Sequence, residues 1–450
     1  MMIVWRSPVS DGDLRPLRAW HGTSAWRRVL APFLLILSAC NPGTPHVDAM
    51  RETRAVDTRT HTKAGAGEHL STGDSPAPAT RLGALSNDTL PEGFAMATRP
   101  IPFEFPRDHG PHPDFRHEWW YVTGHLDART GERFGFELTF FRFALAPQSQ
   151  TAAMETSDSA LAQAASADAS SAWRTRQIYM AHFAVTDLDR ERFQAFERFG
   201  RGALGLRPGK TEPFRVWLDD WSLEALPPEE GHASPDALDM HLRAAENGYA
   251  FDLTLRTASP IMLNGEAGLS RKSSAPGAAS YYYSIPRLAV SGRVERDGKP
   301  LEVEGLAWLD REWGSGSLGA DQQGWDWFAL QLDDGSALMF YALRTEDGTR
   351  DPHSAGTWLA PDGTMRSLAN EDVRIEVQDH WDSPRGGRYP ARWRLQVPSL
   401  ALDVDVRPRL ADQELQTDPR YWEGAATISG MRAGKAVKGR AYVELVGYAR

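Results

Sequence analysis

Short runs in which apolar and polar residues alternate recur along most of the chain. Each is closed by Gly, Pro, Asn or Asp, the pattern expected of β-strands between turns. In the first half these runs fall near 119–126, 134–143, 178–186, 193–199, 214–218, 249–255, 288–296 and 301–309. In the second they fall near 325–332, 337–344, 356–359, 373–377, 391–397, 402–406, 425–431 and 436–448. Few windows carry a helical period. Roughly eight strands per unit, joined mostly by short turns, predict all-β, up-and-down barrels. A barrel of that size is just wide enough for one small ligand.

The chain also repeats itself. Ser291-Gly292, Gly298-Lys299 and Val303-Glu304-Gly305-Leu306-Ala307-Trp308-Leu309-Asp310 match Ser429-Gly430, Gly434-Lys435 and Val437-Lys438-Gly439-Arg440-Ala441-Tyr442-Val443-Glu444. A Gly-bearing turn between two alternating runs predicts a hairpin, and both copies end in a carboxylate. Upstream, Trp119 precedes Leu126 by seven residues, as Trp325 precedes Leu332. The expected organisation is therefore two β-rich units of one design, 101–313 and 314–450.

Ahead of these units the composition changes. Arg27 and Arg28, the apolar run 29–37 and then Ser38-Ala39-Cys40 have the make-up of a signal peptide. The run is too short to cross a bilayer as a mature helix. The segment resembles a bacterial lipoprotein signal, which implies removal of 1–39 and lipidation of Cys40, the sole cysteine. Asn41 behind the lipid site implies sorting to the outer membrane, facing the periplasm. An ordinary cleaved signal or a buried free thiol is the alternative. Residues 40–100, rich in Thr, Ala, Gly, Ser and Pro, read as a disordered tether. Two further low-complexity stretches, 148–172 and 269–279, read as inserted loops. The formal charge of −10 at pH 7 gives no electrostatic case for nucleic acid. Sixteen Trp and 18 Phe suit sheet faces and apolar cavities.

Candidate chemistry gathers in three places. On the repeated strand Glu304, Leu306, Trp308 and Asp310 share one face, as do Lys438, Arg440, Tyr442 and Glu444. If that face lines a barrel cavity, an acid stands there beside a large aromatic. Arg311 could pair with a carboxylate and hold it ionised. A turn-forming or salt-bridging acid is the structural alternative. The second place is His117-Glu118-Trp119-Trp120-Tyr121, which lacks the second His of the helical zinc motif. Here His117 and Glu118 are expected to hydrogen-bond at the barrel mouth while the Trp pair packs inside. His109, His112, Asp108 and Asp114 nearby match no standard ligand spacing, so no metal is expected. The third is His182, either lining the cavity or satisfied in the core. There is no Gly-x-Ser-x-Gly elbow, phosphate loop or dinucleotide fingerprint, and lipidation would consume the only thiol. A conventional serine, cysteine or zinc hydrolase is poorly supported.

Several longer motifs carry a resemblance: His117 through Gly124, Tyr281-Tyr282-Tyr283-Ser284, Trp308 through Gly314, Trp325-Asp326-Trp327-Phe328 and Tyr421-Trp422-Glu423-Gly424. From about 103 to 448 the chain is similar to the secreted lipocalin-like relatives of carotenoid 1,2-hydratases, often labelled predicted secreted hydrolases. The resemblance implies a tandem of two lipocalin-like antiparallel β-barrels and cofactor-free hydration of an alkene. In that chemistry an acid protonates carbon, aromatic faces stabilise the cation, and water adds. Asp310 takes the position of the proton donor, with Glu312 and Glu118 as further catalytic candidates. His117, Trp119, Trp120, Tyr121, His182, Tyr282, Tyr283, Trp308, Trp313, Trp325 and Trp327 are the ligand-contact candidates. Trp308 stands where the hydratases carry Tyr, Glu312 where they carry Asn, and Tyr281 to Tyr283 where they carry His and Trp. An exposed aspartate is too acidic to protonate an alkene near neutrality, so Asp310 needs burial to raise its pKa. The expected protein is a lipid-anchored envelope binder of an isoprenoid or similar apolar ligand, with hydration as its chemistry. A non-catalytic carrier or accessory lipoprotein is the alternative, and a hydrolase using Glu118 or Glu312 to activate water is a further one.

Overall fold

The computed structural model describes residues 92–147, 177–201, 209–211, 213–227, 237–316 and 318–449. These fall in one structural unit, 73–450. The signal-like segment, Cys40 and the stretch 148–172 lie outside the described residues.

The first sheet holds β1 (His117–Ala128), β2 (Arg133–Ala144), β3 (Gln177–Asp187), β4 (Arg192–Arg201), β5 (Lys210–Thr211), β6 (Phe214–Leu218) and β7 (Trp221–Ala225). It continues with β8 (Met240–Glu246), β9 (Tyr249–Thr257), β10 (Met262–Leu263), β11 (Leu269–Arg271), β12 (Ala279–Arg296) and β13 (Lys299–Gly314). Its order is β4-β3-β2-β1-β13-β12-β9-β8-β7-β6-β5, with β10 and β11 pairing onto β12. The first strand thus pairs with the last, and the meander curls into a barrel with one unpaired gap. At that gap a Cβ on Gly200 would lie 2.5 Å from Leu218 Cδ1, and Arg198 pairs with Asp220.

The second sheet repeats the plan with β14 (Gln322–Leu332), β15 (Ala337–Thr345), β16 (Ala355–Leu359), β17 (Met365–Leu368), β18 (Arg374–Asp382) and β19 (Arg388–Val397). The remaining strands are β20 (Leu402–Pro408), β21 (Glu414–Leu415), β22 (Tyr421–Arg432) and β23 (Lys435–Leu445). The order is β17-β16-β15-β14-β23-β22-β20-β19-β18, again first beside last. The expected all-β tandem of antiparallel barrels is present.

The sequence repeat becomes the closing hairpin of each barrel. Asp297-Gly298 and Ala433-Gly434 both have two positive φ angles, the conformation of a tight two-residue hairpin turn. Strand pairing starts at Arg296 with Lys299 in one and Arg432 with Lys435 in the other. The repeated glycines allow close strand approach. A Cβ on Gly305 would sit 2.0 Å from the His125 carbonyl oxygen, and one on Gly439 2.3 Å from that of Gln331.

Each barrel is filled by its own side chains. Trp120, Phe136, Leu138, Phe183, Phe251, Tyr283, Leu309 and Trp313 belong to the first core, and Phe328, Phe340, Trp393, Trp422 and Val443 to the second. A third apolar cluster lies between the barrels, where outward faces of β1, β12 and β13 meet those of β14, β15, β22 and β23. It includes Tyr121, Tyr282, Trp308, Trp327, Tyr341, Ala425 and Tyr442.

Three expectations change. Among the described residues the sheets contain 13 and 10 strands rather than roughly eight: β5, β7 and β17 are short runs without readable alternation, and β8 was not anticipated although its residues alternate. The tether expected to reach residue 100 is already packed before that: Phe94 and Ala97 are buried, and Ala95 N–H donates to the Asp114 carbonyl at 3.0 Å. The stretch 269–279 is not a bare loop, since Leu269–Arg271 adds a strand to β12.

Candidate functional site

Alternation decides where each candidate points. On β13 the residues Val303, Ala307, Leu309 and Trp313 enter the first core, so Trp308, Asp310 and Glu312 must face outward. The expectation that Asp310 lines the barrel interior is therefore corrected: it lies in the seam between the barrels. Its counterpart Glu444 faces outward from β23 for the same reason, because Val443 and Leu445 enter the second core.

Asp310 is buried and richly hydrogen-bonded. Ser284 Oγ donates to Oδ1 at 2.5 Å, Trp308 Nε1 donates to Oδ1 at 2.6 Å, and the Tyr282 hydroxyl donates to Oδ2. Trp327 Nε1, from the other barrel, donates to the Tyr282 hydroxyl at 3.0 Å. Donors of this kind favour the carboxylate, yet burial outweighs them and, with Glu312 nearby, raises the Asp310 pKa to about 7. A carboxylic acid that keeps its proton near neutrality can act as a general acid.

Around it stand the aromatic walls. Trp308 and Trp327 meet edge to face at 6.3 Å, and Tyr121 meets Trp327 at 5.2 Å. Trp119 and Trp325 are partly buried at the rim of this cluster, with His117 stacked on Trp119 at 5.8 Å. Glu312 accepts from Ser280 and pairs with Lys272 Nζ at 3.1 Å. Lys272 in turn lies 4.2 Å over the Tyr341 ring. Lys272 and Ser284 escaped sequence reasoning. Lys272 sits in a low-complexity stretch, and Ser284 was visible only as the end of the Tyr281 motif.

Other candidates lie elsewhere. Glu118, Trp120, Tyr283 and Trp313 face into the first barrel, so the Trp119-Trp120 pair splits, with only Trp120 inside. Glu118 is fully buried between Arg142 and Arg311, which accounts for the carboxylate that Arg311 was expected to hold. Burial alone would raise its pKa, but the two guanidiniums prevail and hold it well below the ordinary range. His112 stacks on Trp313 at 3.8 Å and His109 Nδ1 meets the Tyr283 hydroxyl at 2.7 Å. The His112 N–H also donates to Glu118 Oε2 at 2.9 Å, so both Glu118 oxygens are held by protein donors. His182 faces the second barrel from β3, with Nδ1 2.7 Å from the Tyr421 hydroxyl, a satisfied partner. Among the described residues no group of three or more His, Cys, Asp or Glu has metal-binding geometry.

A second group of acids occupies the same seam. Tyr121, cross-strand neighbour of Asp310, donates its hydroxyl to Glu423 Oε2 at 2.9 Å. Glu423 meets Glu137; burial and then repulsion from Glu137 and Glu444 raise the Glu423 pKa, and burial and then Glu444 raise that of Glu137. Glu444 is likewise raised, by burial and then by Asp310 and Glu312. Glu137 was missed because it is a single acid within an aromatic strand. Glu423 lay within a motif quoted only for resemblance.

Comparison with known proteins agrees with this architecture. A family model described as AttH-like matches residues 96–448. A crystal structure of an AttH protein from Nitrosomonas europaea superposes with a TM-score of 0.66 at 34% identity, covering 79% of this chain and 100% of that one. Kievitone hydratase from Nectria haematococca shares the fold, with a TM-score of 0.56 at 15% identity over 80% of this chain and 98% of its own. The dehydratase asqC of Emericella nidulans is 23% identical over 234 residues, 48% of this chain. That alignment spans 64% of the dehydratase.

Proposed function

The chain belongs to the AttH-like family, and from that premise we propose that it hydrates or dehydrates an apolar, alkene-bearing ligand by cofactor-free acid catalysis in the seam between its barrels. The observation that carries this reading is Asp310: a buried acid, hydrogen-bonded by Tyr282, Ser284 and Trp308, among indole and phenol faces. Protonation of an alkene carbon by Asp310 would leave a carbocation, which the electron-rich faces of Trp308 and Trp327 suit. Water then completes the addition, and the reverse sequence is dehydration. The names of two similar proteins, a hydratase and a dehydratase, support this class of chemistry.

The ligand we propose is an isoprenoid or a similar apolar molecule. We place the protein in the bacterial envelope, anchored by a lipid on Cys40 to the outer membrane and facing the periplasm. Cys40→Ser should then move the expressed protein from the membrane pellet to the soluble fraction; an unchanged pellet fraction counts against the anchor.

The activity is tested by mass spectrometry on the full chain incubated with acyclic isoprenoids. A product heavier or lighter by one water, present with wild type and absent with Asp310→Asn, supports the proposal. Retention of a ligand without conversion would instead make the protein a carrier.

A further inference from the structure

Water addition moves two protons. One goes to carbon, and the other leaves the attacking water. Asp310 accounts for the first, and the same seam contains a second centre suited to the other.

Two tyrosine–carboxyl couples lie on either side of one indole. Tyr282 donates to Asp310 and accepts from Trp327 Nε1, while Tyr121 packs edge-on against the Trp327 ring and donates to Glu423. Glu423, from the second barrel, meets Glu137, from the first. Both are fully buried. Neither oxygen of Glu137, nor Oε1 of Glu423, has a hydrogen-bond partner. Two ionised carboxylates offer each other no donor, so their contact is satisfied only if a proton lies between them; the Thr139 hydroxyl is the other donor beside Glu137.

The surroundings leave that pair uncompensated. The ionisable side chains facing it are Glu444 and Tyr442 from β23, Tyr121 from β1 and Tyr421 from β22. His182 of β3 is occupied by Tyr421, and His125 of β1 by the Ala441 carbonyl at 2.9 Å. No basic side chain acts on Glu137. The Tyr442 hydroxyl, buried and without a partner, lines a small cavity with Thr123, His125, Gln331 and Trp308, the residue that donates to Asp310. That cavity is wide enough for about one water molecule. Its lining includes Trp308, which bonds Asp310, and Tyr442, whose phenol lies in the field of Glu423 and Glu137.

We propose that Tyr121, Glu423 and Glu137 form the second proton-handling centre of the seam. The inference rests on the hydration reading above. In the forward direction Asp310 gives its proton to carbon and becomes a carboxylate. The oxygen of water bonds to the cation. One proton of that water passes to the Tyr121 oxygen as the Tyr121 proton passes to Glu423, so the pair goes from one shared proton to two. The extra proton then returns to Asp310 and both centres are reset. Dehydration runs the same exchange backwards.

The test uses full-length wild type, Glu137→Gln, Glu423→Gln and Asp310→Asn. Thermal unfolding between pH 5.5 and 8.5 reads the shared proton. A buried acid whose folded pKa is raised stabilises the fold in its protonated form. That stability is lost as pH rises from the ordinary carboxyl range through the folded value. The wild-type melting temperature should therefore fall across this window, and the fall should shrink in both glutamine variants. Equal slopes in all three overturn the shared proton. Turnover of an acyclic isoprenoid alkene reads its use. Glu423→Gln should lower kcat by roughly 10²-fold with KM nearly unchanged, and Glu137→Gln should shift the pH profile of kcat. If wild type converts the alkene, Asp310→Asn does not, and both glutamine variants match wild type, the second centre is overturned while the hydration reading stands. If wild type itself converts nothing, the hydration reading fails, and the catalytic use of the pair fails with it.

Discussion

Trp327 and Tyr282 belong to different barrels, yet the indole N–H of the first donates to the hydroxyl of the second at 3.0 Å. Through that one bond the second barrel helps to set the hydrogen bonding of Asp310, which the Tyr282 hydroxyl also reaches. The acid is thus tuned by both halves of the chain.

Replacing Tyr282 by Phe removes a donor that favours the Asp310 carboxylate. The Asp310 pKa should rise, and the alkaline limb of the activity profile should move to higher pH. A profile of kcat against pH checks this, and an unmoved limb would sink the link between Tyr282 and the acid.

Activity should also depend on pH in a defined direction. As the proposed general acid, Asp310 works in its protonated form, whose population falls about tenfold per pH unit above a pKa of about 7. Turnover should be level below that value and decline above it. A rate that instead climbs through pH 8 would argue that the carboxylate is the working form.

Glu118 serves the fold. Changing it to Gln leaves Arg142 and Arg311 buried without their counter-charge, which should cost about 3–5 kcal/mol. Its pKa is depressed, so the stabilisation it gives is present above the ordinary carboxyl value and is lost as pH falls through the folded one. Urea unfolding at pH 7 and at acid pH should show the variant much weaker at pH 7, with the difference narrowing in acid.

The matched glycines should behave alike. Gly305→Ala and Gly439→Ala each drive a Cβ against a neighbouring carbonyl oxygen. Each should destabilise its barrel by roughly 1–3 kcal/mol, the usual range for overpacking. Calorimetry of the two variants would test whether the repeat is mechanical as well as sequential.

Much of this was legible in the chain. Alternation located β1, β2, β6 and β23 to within a few residues, and the hairpin repeat singled out Asp310. Which face of β13 turns toward the seam was not legible. At the seam both faces of a strand are covered, so Ala307 and Leu309 look no more interior than Trp308 and Asp310. Only the pairing of the two barrels distinguishes them. Lys272 was hidden by the Ser, Ala and Gly around it. Glu137 and Glu423, 286 positions apart in numbering, meet only because separate barrels abut. Local pattern does not report contacts at that range.

The pairing of first strand with last has a consequence for biosynthesis. Tyr121 lies near the start of the first barrel and Asp310 near its end, while Trp327 opens the second barrel and Glu444 closes it. The seam therefore cannot assemble until the chain has been made nearly to its end. Translation arrested between β13 and β23 would release a protein with its first barrel closed and only half of the acid cluster, its aromatic face uncovered.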